Sequence, residues 1–206
     1  MTDRPNILLI HTEHHRGDAL GCENHPVLLT PTMDTIARQG VRFSRFYSAC
    51  PSCIASRRSI LCGQLPQTHG LVGYRDGVTW SGVPTLPGVL RDNGYQTYHI
   101  GRSMHQHPPR KCHGFEWMEQ DEDYHEWLHD HSPTHGIDDW FAGGVRNNDW
   151  TVHPWHLDES LHQTNWTVER SLRFMARRDP SRPFFLSLGF IAAHPPFQPP
   201  AFYFER

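Results

Sequence analysis

The sequence carries no excess of positive charge: 19 Lys and Arg stand against 22 Asp and Glu, a net charge of -3. It also has no basic block, which argues against nucleic acid as a partner. No apolar run approaches the roughly 20 residues needed to cross a bilayer. The start, Met1-Thr2-Asp3-Arg4-Pro5-Asn6, lacks the charged and apolar regions of a signal peptide. The expectation is a cytoplasmic chain without a membrane partner. Cysteine is scarce and odd in number: Cys22, Cys50, Cys53, Cys62 and Cys112. In a chain without secretion signals this favours reduced thiols over a disulfide framework. Cys50-Pro-Ser-Cys53 has C-x-x-C letters but no second half for a structural zinc. Internal repeats and low-complexity tracts are absent as well.

What is present fits one domain, since 206 residues can bury a sizeable core. Asn6 to Ile10 is a continuous apolar run, read as a strand buried on both faces, with polar residues clustered at its carboxyl end. Open α/β sheets place their sites there. Thr30 as N-cap and Pro31 in the first turn start a helix with Met33, Ile36 and Ala37 on one face and Gly40 as terminator. Val41 to Tyr47 alternates as a strand does. Leu86, Val89 and Leu90 mark a helix closed by Asn93-Gly94, and Tyr95 to Ile100 reads as the next strand. A loop-rich stretch over about 102–155 holds one helix, Glu122 to His131. From Asp158 a longer helix carries Leu161, Val168, Leu172 and Met175 on one stripe, and Pro183 to Phe190 is a buried strand. Helices alternating with buried strands predict an α/β layered sheet.

The segment richest in chemistry is Pro51 to Gly63, where Cys53 is followed by Ala55, Ser56 and Arg57. It resembles the sulfatase signature C-x-(P/A)-S-R, and Gly63 to Gly70 is similar to the G-x-x-P-x-x-x-G that follows it. Ile60 and Leu61 suggest a short helix starting just after Cys53, with its N-terminal amides facing an anion. Further matches lie in family order: Arg4 to Ile10, Thr30-Pro31-x-x-Asp34, Gly94-Tyr95-x-Thr97, and Pro183-Phe184-Phe185-Leu186. The chain is thus identified as resembling the N-terminal portion, residues 1–206, of a formylglycine-dependent type I sulfatase. The implied fold is an alkaline phosphatase-like layered sheet flanked by helices, incomplete at its C-terminus.

The resemblance implies a sulfuric ester hydrolase. Cys53 would be oxidised by a formylglycine-generating maturation enzyme, and the hydrated aldehyde would be the nucleophile. Glu13 and His14 hold the positions where sulfatases keep metal-binding acids, and Cys53, once converted, is the third metal ligand implied. Ca2+ is the family's usual ion, while the nitrogen of His14 suits Mn2+ or Zn2+. Arg57 would bridge the nucleophile and the metal ligands. Gly101-Arg102-Ser103-Met104-His105 stands where the family has G-K-x-H, with one residue more, so Arg102 would bind sulfate and His105 would act as base, with His107 as its competitor. In Ala193-His194-Pro195-Pro196-Phe197, similar to P-H-x-P-F, His194 would donate a proton to the leaving oxygen. Arg58 reads as a surface residue.

The D-H-G-like segment that supplies further metal ligands in the family does not occur. Two other readings stay open: a truncated, inactive sulfatase-like protein, and a phosphonate or phosphate ester hydrolase of the same superfamily. The substrate would be a sulfated small molecule or glycan, against which Trp117, Trp127, Trp140, Trp150 or Trp155 could stack, although most tryptophans serve the core. Many of the 17 histidines, such as those from His125 to His135, read as solvent-facing.

Overall fold

The computed structural model describes residues 4–80, 82–132 and 148–204. Trp140 and the stretch from 133 to 147 therefore lie outside the described residues. Four strands, β1 (Ile7–Thr12), β2 (Gln96–Gly101), β3 (Trp117–Glu119) and β4 (Phe184–Phe190), form one sheet in the order β1-β4-β2-β3. Every pairing is parallel, so all carboxyl ends lie along one edge. The helices are α1 (Pro31–Gln39), α2 (Cys53–Cys62), α3 (Pro66–His69), α4 (Leu86–Asp92), α5 (Asp121–His131), α6 (Gln163–Arg177) and α7 (Ala201–Phe204).

Side chains of a strand alternate between faces, and β4 uses both. Phe184, Leu186 and Leu188 join Ile100, Tyr124, Leu128, Trp155, Trp166 and Phe174 in a core under α5 and α6. Phe185 points the other way, into a core with Leu61, Trp80, Tyr95, Met104 and Phe115, against which Ile7, Leu9 and Leu90 pack. The result is an α/β/α layering with the sheet in the middle, as the alternation of elements predicts.

Several local expectations are corrected. β1 is an edge strand in the described sheet, and Leu8 and Ile10 are 53% and 49% exposed rather than buried on both faces. Val41 to Tyr47 forms no strand; among the described residues no strand pairs with it, and Phe43, Phe46 and Tyr47 are exposed. Alternation alone does not make a strand without a partner edge. The helix expected from Asp158 begins with a 3-10 turn, Glu159–Leu161, and α6 proper starts at Gln163, capped by His162 accepting from the Thr164 amide. The stripe of Val168, Leu172 and Met175 is exposed, and α6 packs on the sheet through Trp166, Thr167, Ser171 and Phe174 instead. The loop-rich stretch also contains β3, which pairs with β2 from Tyr98 to Ile100.

Other signals act as read. Pro31 opens α1, but the Thr30 hydroxyl donates to Asp34 (2.8 Å) instead of capping an amide, and Asp34 also accepts from the Cys22 amide at 2.9 Å. That trio is the physical content of T-P-x-x-D. α5 begins with a reciprocal capping box between Gln120 and Asp123.

Gly101, the last residue of β2, has φ +98° and sits against β4: a Cβ there would lie 2.1 Å from the Gly189 carbonyl oxygen. Both the left-handed backbone and the space exclude a side chain. Gly101→Ala is expected to destabilise the fold by about 3 kcal/mol or more, read as a lowered urea midpoint at unchanged m-value.

Candidate active site

The site grows from the carboxyl edge of β1 and β4. Directly after β1, the Glu13 amide faces the carbonyls of Phe190 (3.1 Å) and Ala192 (3.2 Å), and the Ala193 amide returns a bond to the Glu13 carbonyl at 2.7 Å. This stitching sets the loop bearing Glu13 and His14 beside the loop bearing His194. The His14 and His194 rings stand 4.4 Å apart between centroids. One ligand atom each of Glu13, His14 and His194 lies within 4.8 Å of the others. Cys53 is not a member of that cluster.

α2 meets this edge with its first turn. Cys53 is its first residue and Arg57 lies one turn on, the i to i+4 spacing that puts two side chains on one helix face. Arg57 is buried and donates from Nη2 to Glu13 Oε1, while Nη1 bonds His11 Nε2 at 3.0 Å. A guanidinium has only donors, so His11 Nε2 accepts and its proton resides on Nδ1. Burial, then the charges of Arg57 and His99, hold His11 down to about 3, and the ring stays neutral. For Glu13, burial favours the acid, yet the Arg57 charge and hydrogen bond, with Arg102 and His14 adding, outweigh it and keep the carboxyl below its ordinary 4.5. Its second oxygen, Oε2, is buried and without a hydrogen-bond partner among the described residues. An anionic oxygen buried with its lone pairs free beside two imidazoles fits a divalent cation.

Arg102 follows β2. Its amide donates to the Gly189 carbonyl at 2.7 Å, and its guanidinium donates to Asp121 Oδ2 at 2.8 Å. Gln163 holds the other Asp121 oxygen at 2.9 Å. The extra residue before His105 is absorbed in a loop where His105 itself has φ +54°. Burial, then the charges of Arg102 and Arg57, push His105 below the usual histidine value. Gln106 anchors this loop on α2, donating to the Ile54 carbonyl (2.9 Å) and accepting from Arg58 Nε (2.9 Å). His107 lies further along, bridging to Thr79.

His194 Nδ1 lies 2.7 Å from the Pro195 carbonyl. A carbonyl only accepts, so Nδ1 carries the proton and the neutral ring keeps a lone pair on Nε2. Burial lowers its pKa, with His14 and Arg102 acting in the same sense. To donate a proton to a leaving oxygen it would first have to gain one. Beside it opens a cavity of about 360 Å³ walled by Tyr124, Trp155, His162, Ile191 and Phe197.

The structure thus draws Glu13, His14, Arg57, Arg102 and His194 to one edge of the sheet, with Cys53 at the first turn of α2. The reading of Arg58 is corrected: it is 3% exposed, bonds Gln106 and the Val78 carbonyl, and lies over the Trp80 ring. Sequence reasoning missed His11, His99, Gln106 and Asp121. His11 had a signal, because it shares the strand face of Ile7 and Leu9 that turns towards α2. His99, fully buried and held at about 4, mainly by its burial, bonds Ser187 and the Arg102 carbonyl. Asp121 had no local signal, since only β3 and the α5 cap bring it to Arg102.

A parallel sheet lies between helix layers, with a helix N-terminus and a cation-compatible cluster at its carboxyl edge, and the structural relatives place this architecture in the alkaline phosphatase-like class. The phosphonate monoester hydrolase of Agrobacterium radiobacter superposes with a TM-score of 0.80 at 22% identity, covering 97% of this chain and 43% of that one. A chain solved in complex with its substrate D-glucosamine-2-N,6-O-disulfate gives 0.66 at 26% identity, over 93% of this chain and 35% of that one. Residues 5–206 match the sulfatase family model, and the chain belongs to the sulfatase family. An arylsulfatase of Clostridium perfringens (strain 13 / Type A) is 40% identical over 98% of this chain and 46% of its own length. The N-acetylglucosamine-6-O-sulfatase of Bacteroides thetaiotaomicron is 28% identical over 96% of this chain and 32% of its own. The chain spans less than half the length of these relatives.

Arg57→Ala would strand Glu13 as an unpaired buried carboxylate, at an expected cost of about 3–5 kcal/mol at neutral pH. Because the folded pKa of Glu13 is depressed, the stability it contributes is present above the unfolded value and lost as pH falls through the folded one. The gap between wild type and variant should therefore narrow below about pH 4, as denaturation midpoints across pH would show.

Proposed function

We propose that this chain carries the nucleophile-bearing part of a sulfuric ester hydrolase, with Cys53 converted to formylglycine by a maturation enzyme and a divalent cation at Glu13 and His14. The observation that supports it best is the placing of Cys53 at the N-terminus of α2 with Arg57 on the same face, locked to Glu13. Formylglycine would supply a geminal diol: one hydroxyl would displace the alcohol or phenol at sulfur, and the other, on losing its proton, would re-form the aldehyde as sulfate leaves. A bound cation would polarise the sulfate oxygens.

The chain's own residues do the rest. The amides of the first turn of α2 face the incoming anion and, with the helix dipole, favour negative charge there. Arg102, oriented by Asp121, adds a fixed positive charge that strengthens as water is excluded. His105, kept neutral by its surroundings, takes the proton when the second hydroxyl expels sulfate. His194 walls both the cation cluster and the aromatic cavity, and the organic part of the ester seats in that cavity, against Trp155 and Phe197. A sulfated small molecule or glycan is the substrate class, in keeping with the disulfated glucosamine held by one structural relative.

Mass spectrometry of the peptide holding Cys53, from protein made in its native host, is expected to show a loss of about 18 Da, the exchange of a thiol for an aldehyde. Cys53→Ala should lower aryl sulfate turnover by about a thousand-fold or more. An intact thiol, or faster hydrolysis of a phosphate or phosphonate ester than of the sulfate, would overturn the reading. In the pH profile of kcat/KM, the acid limb set by His105 should fall below the ordinary histidine value of 6.5 and disappear in His105→Ala, whose residual rate should be flat on that side.

A further inference from the structure

We propose that His194 is itself a metal ligand, and that Glu13, His14 and His194 form a two-nitrogen, one-oxygen site that takes Zn2+ or Mn2+ in preference to Ca2+. The inference rests on the cation-dependent reading above and changes both the donor set and the role of His194. Three features of the cluster carry it. The ligand atoms lie within 4.8 Å of one another, close enough for small side-chain rotations to bring them onto one ion with bonds of about 2.1 Å.

His194 has the arrangement of a ligating imidazole. Its Nδ1–H is committed to the Pro195 carbonyl at 2.7 Å, which fixes the ring and leaves the Nε2 lone pair free. Metal-bound histidines habitually donate their other nitrogen in this way. The backbone around it is held too, by His194 N to the Ile191 carbonyl (2.8 Å) and Ala193 N to the Glu13 carbonyl (2.7 Å). Glu13 divides its oxygens: Oε1 accepts from Arg57, and buried Oε2 has no hydrogen-bond partner among the described residues.

Donor chemistry then selects the ion. Ca2+ gathers six to eight oxygens, whereas imidazole nitrogen suits zinc and its neighbours in the first transition row. Two imidazole nitrogens and one carboxylate oxygen are the donor types of His2Glu zinc sites, and among the described residues they are the donors gathered here. His194 in this role holds the cation, so it does not protonate the leaving group.

The test uses the full chain, stripped of metal and titrated with Zn2+, Mn2+ and Ca2+ by calorimetry, with X-ray absorption on the Zn2+-loaded protein. Zn2+ and Mn2+ are expected to bind at least about ten-fold more tightly than Ca2+, and the absorption spectrum should count two imidazoles. His194→Gln should leave one imidazole and weaken Zn2+ by at least about ten-fold, without weakening Ca2+. Preference for Ca2+, fewer than two imidazoles in the wild type, or unchanged Zn2+ affinity in a folded His194→Gln protein would overturn the proposal. The imidazole count needs no variant, so it decides even where a substitution unfolds the chain. Binding is read without turnover; failure to hydrolyse sulfate esters with metal binding intact counts against the reaction alone.

Discussion

The buried pair of Arg57 and Glu13 fixes where the signature helix meets the sheet. Their side chains are 3% and 8% exposed, so neither charge has water to fall back on. Desolvating two ions is costly, and only close, hydrogen-bonded pairing offsets it. That requirement aims Arg57 at the end of β1, and His11 answers its second nitrogen as a neutral acceptor. The first turn of α2 is thereby set against the strand end, and Cys53 with it. The same pairing occupies one Glu13 oxygen and leaves the other buried without a hydrogen-bond partner among the described residues.

Topology supplies what no local rule could. β1 and β4 lie at opposite ends of the chain yet are neighbours in register from Ile7 against Phe185 to Thr12 against Phe190. Both run the same way, so the residues just past each strand emerge side by side. Glu13 and His194 therefore meet through sheet order, and Arg102 reaches the same edge from β2 because β2 flanks β4 on its other side.

The parts legible in the sequence are those governed by short-range physics. The strands read at β2 and β4, Pro31 at the start of α1, and the Cys53-to-Arg57 spacing on one helix turn all translate directly into structure. So does the order of family motifs along the chain. Long-range pairing escaped. Arg58 looks like a surface charge until Gln106, Val78 and Trp80 surround it. Asp121 is one acid among several in a polar stretch until β3 carries it to Arg102. The apolar stripe on α6 and the alternation of Val41 to Tyr47 misled for the opposite reason: each pattern is sound, but the described residues contain no surface packed against it.

β1 has a further consequence for how the polypeptide behaves. Only one of its edges is hydrogen-bonded among the described residues, and Leu8 and Ile10 are half exposed on one of its faces. An open edge of a parallel sheet presents an unspent row of amide donors and carbonyl acceptors, a template on which another strand can grow. β1 ends at Thr12, so any strand pairing along that edge would have one end beside the cluster of Glu13, His14 and His194.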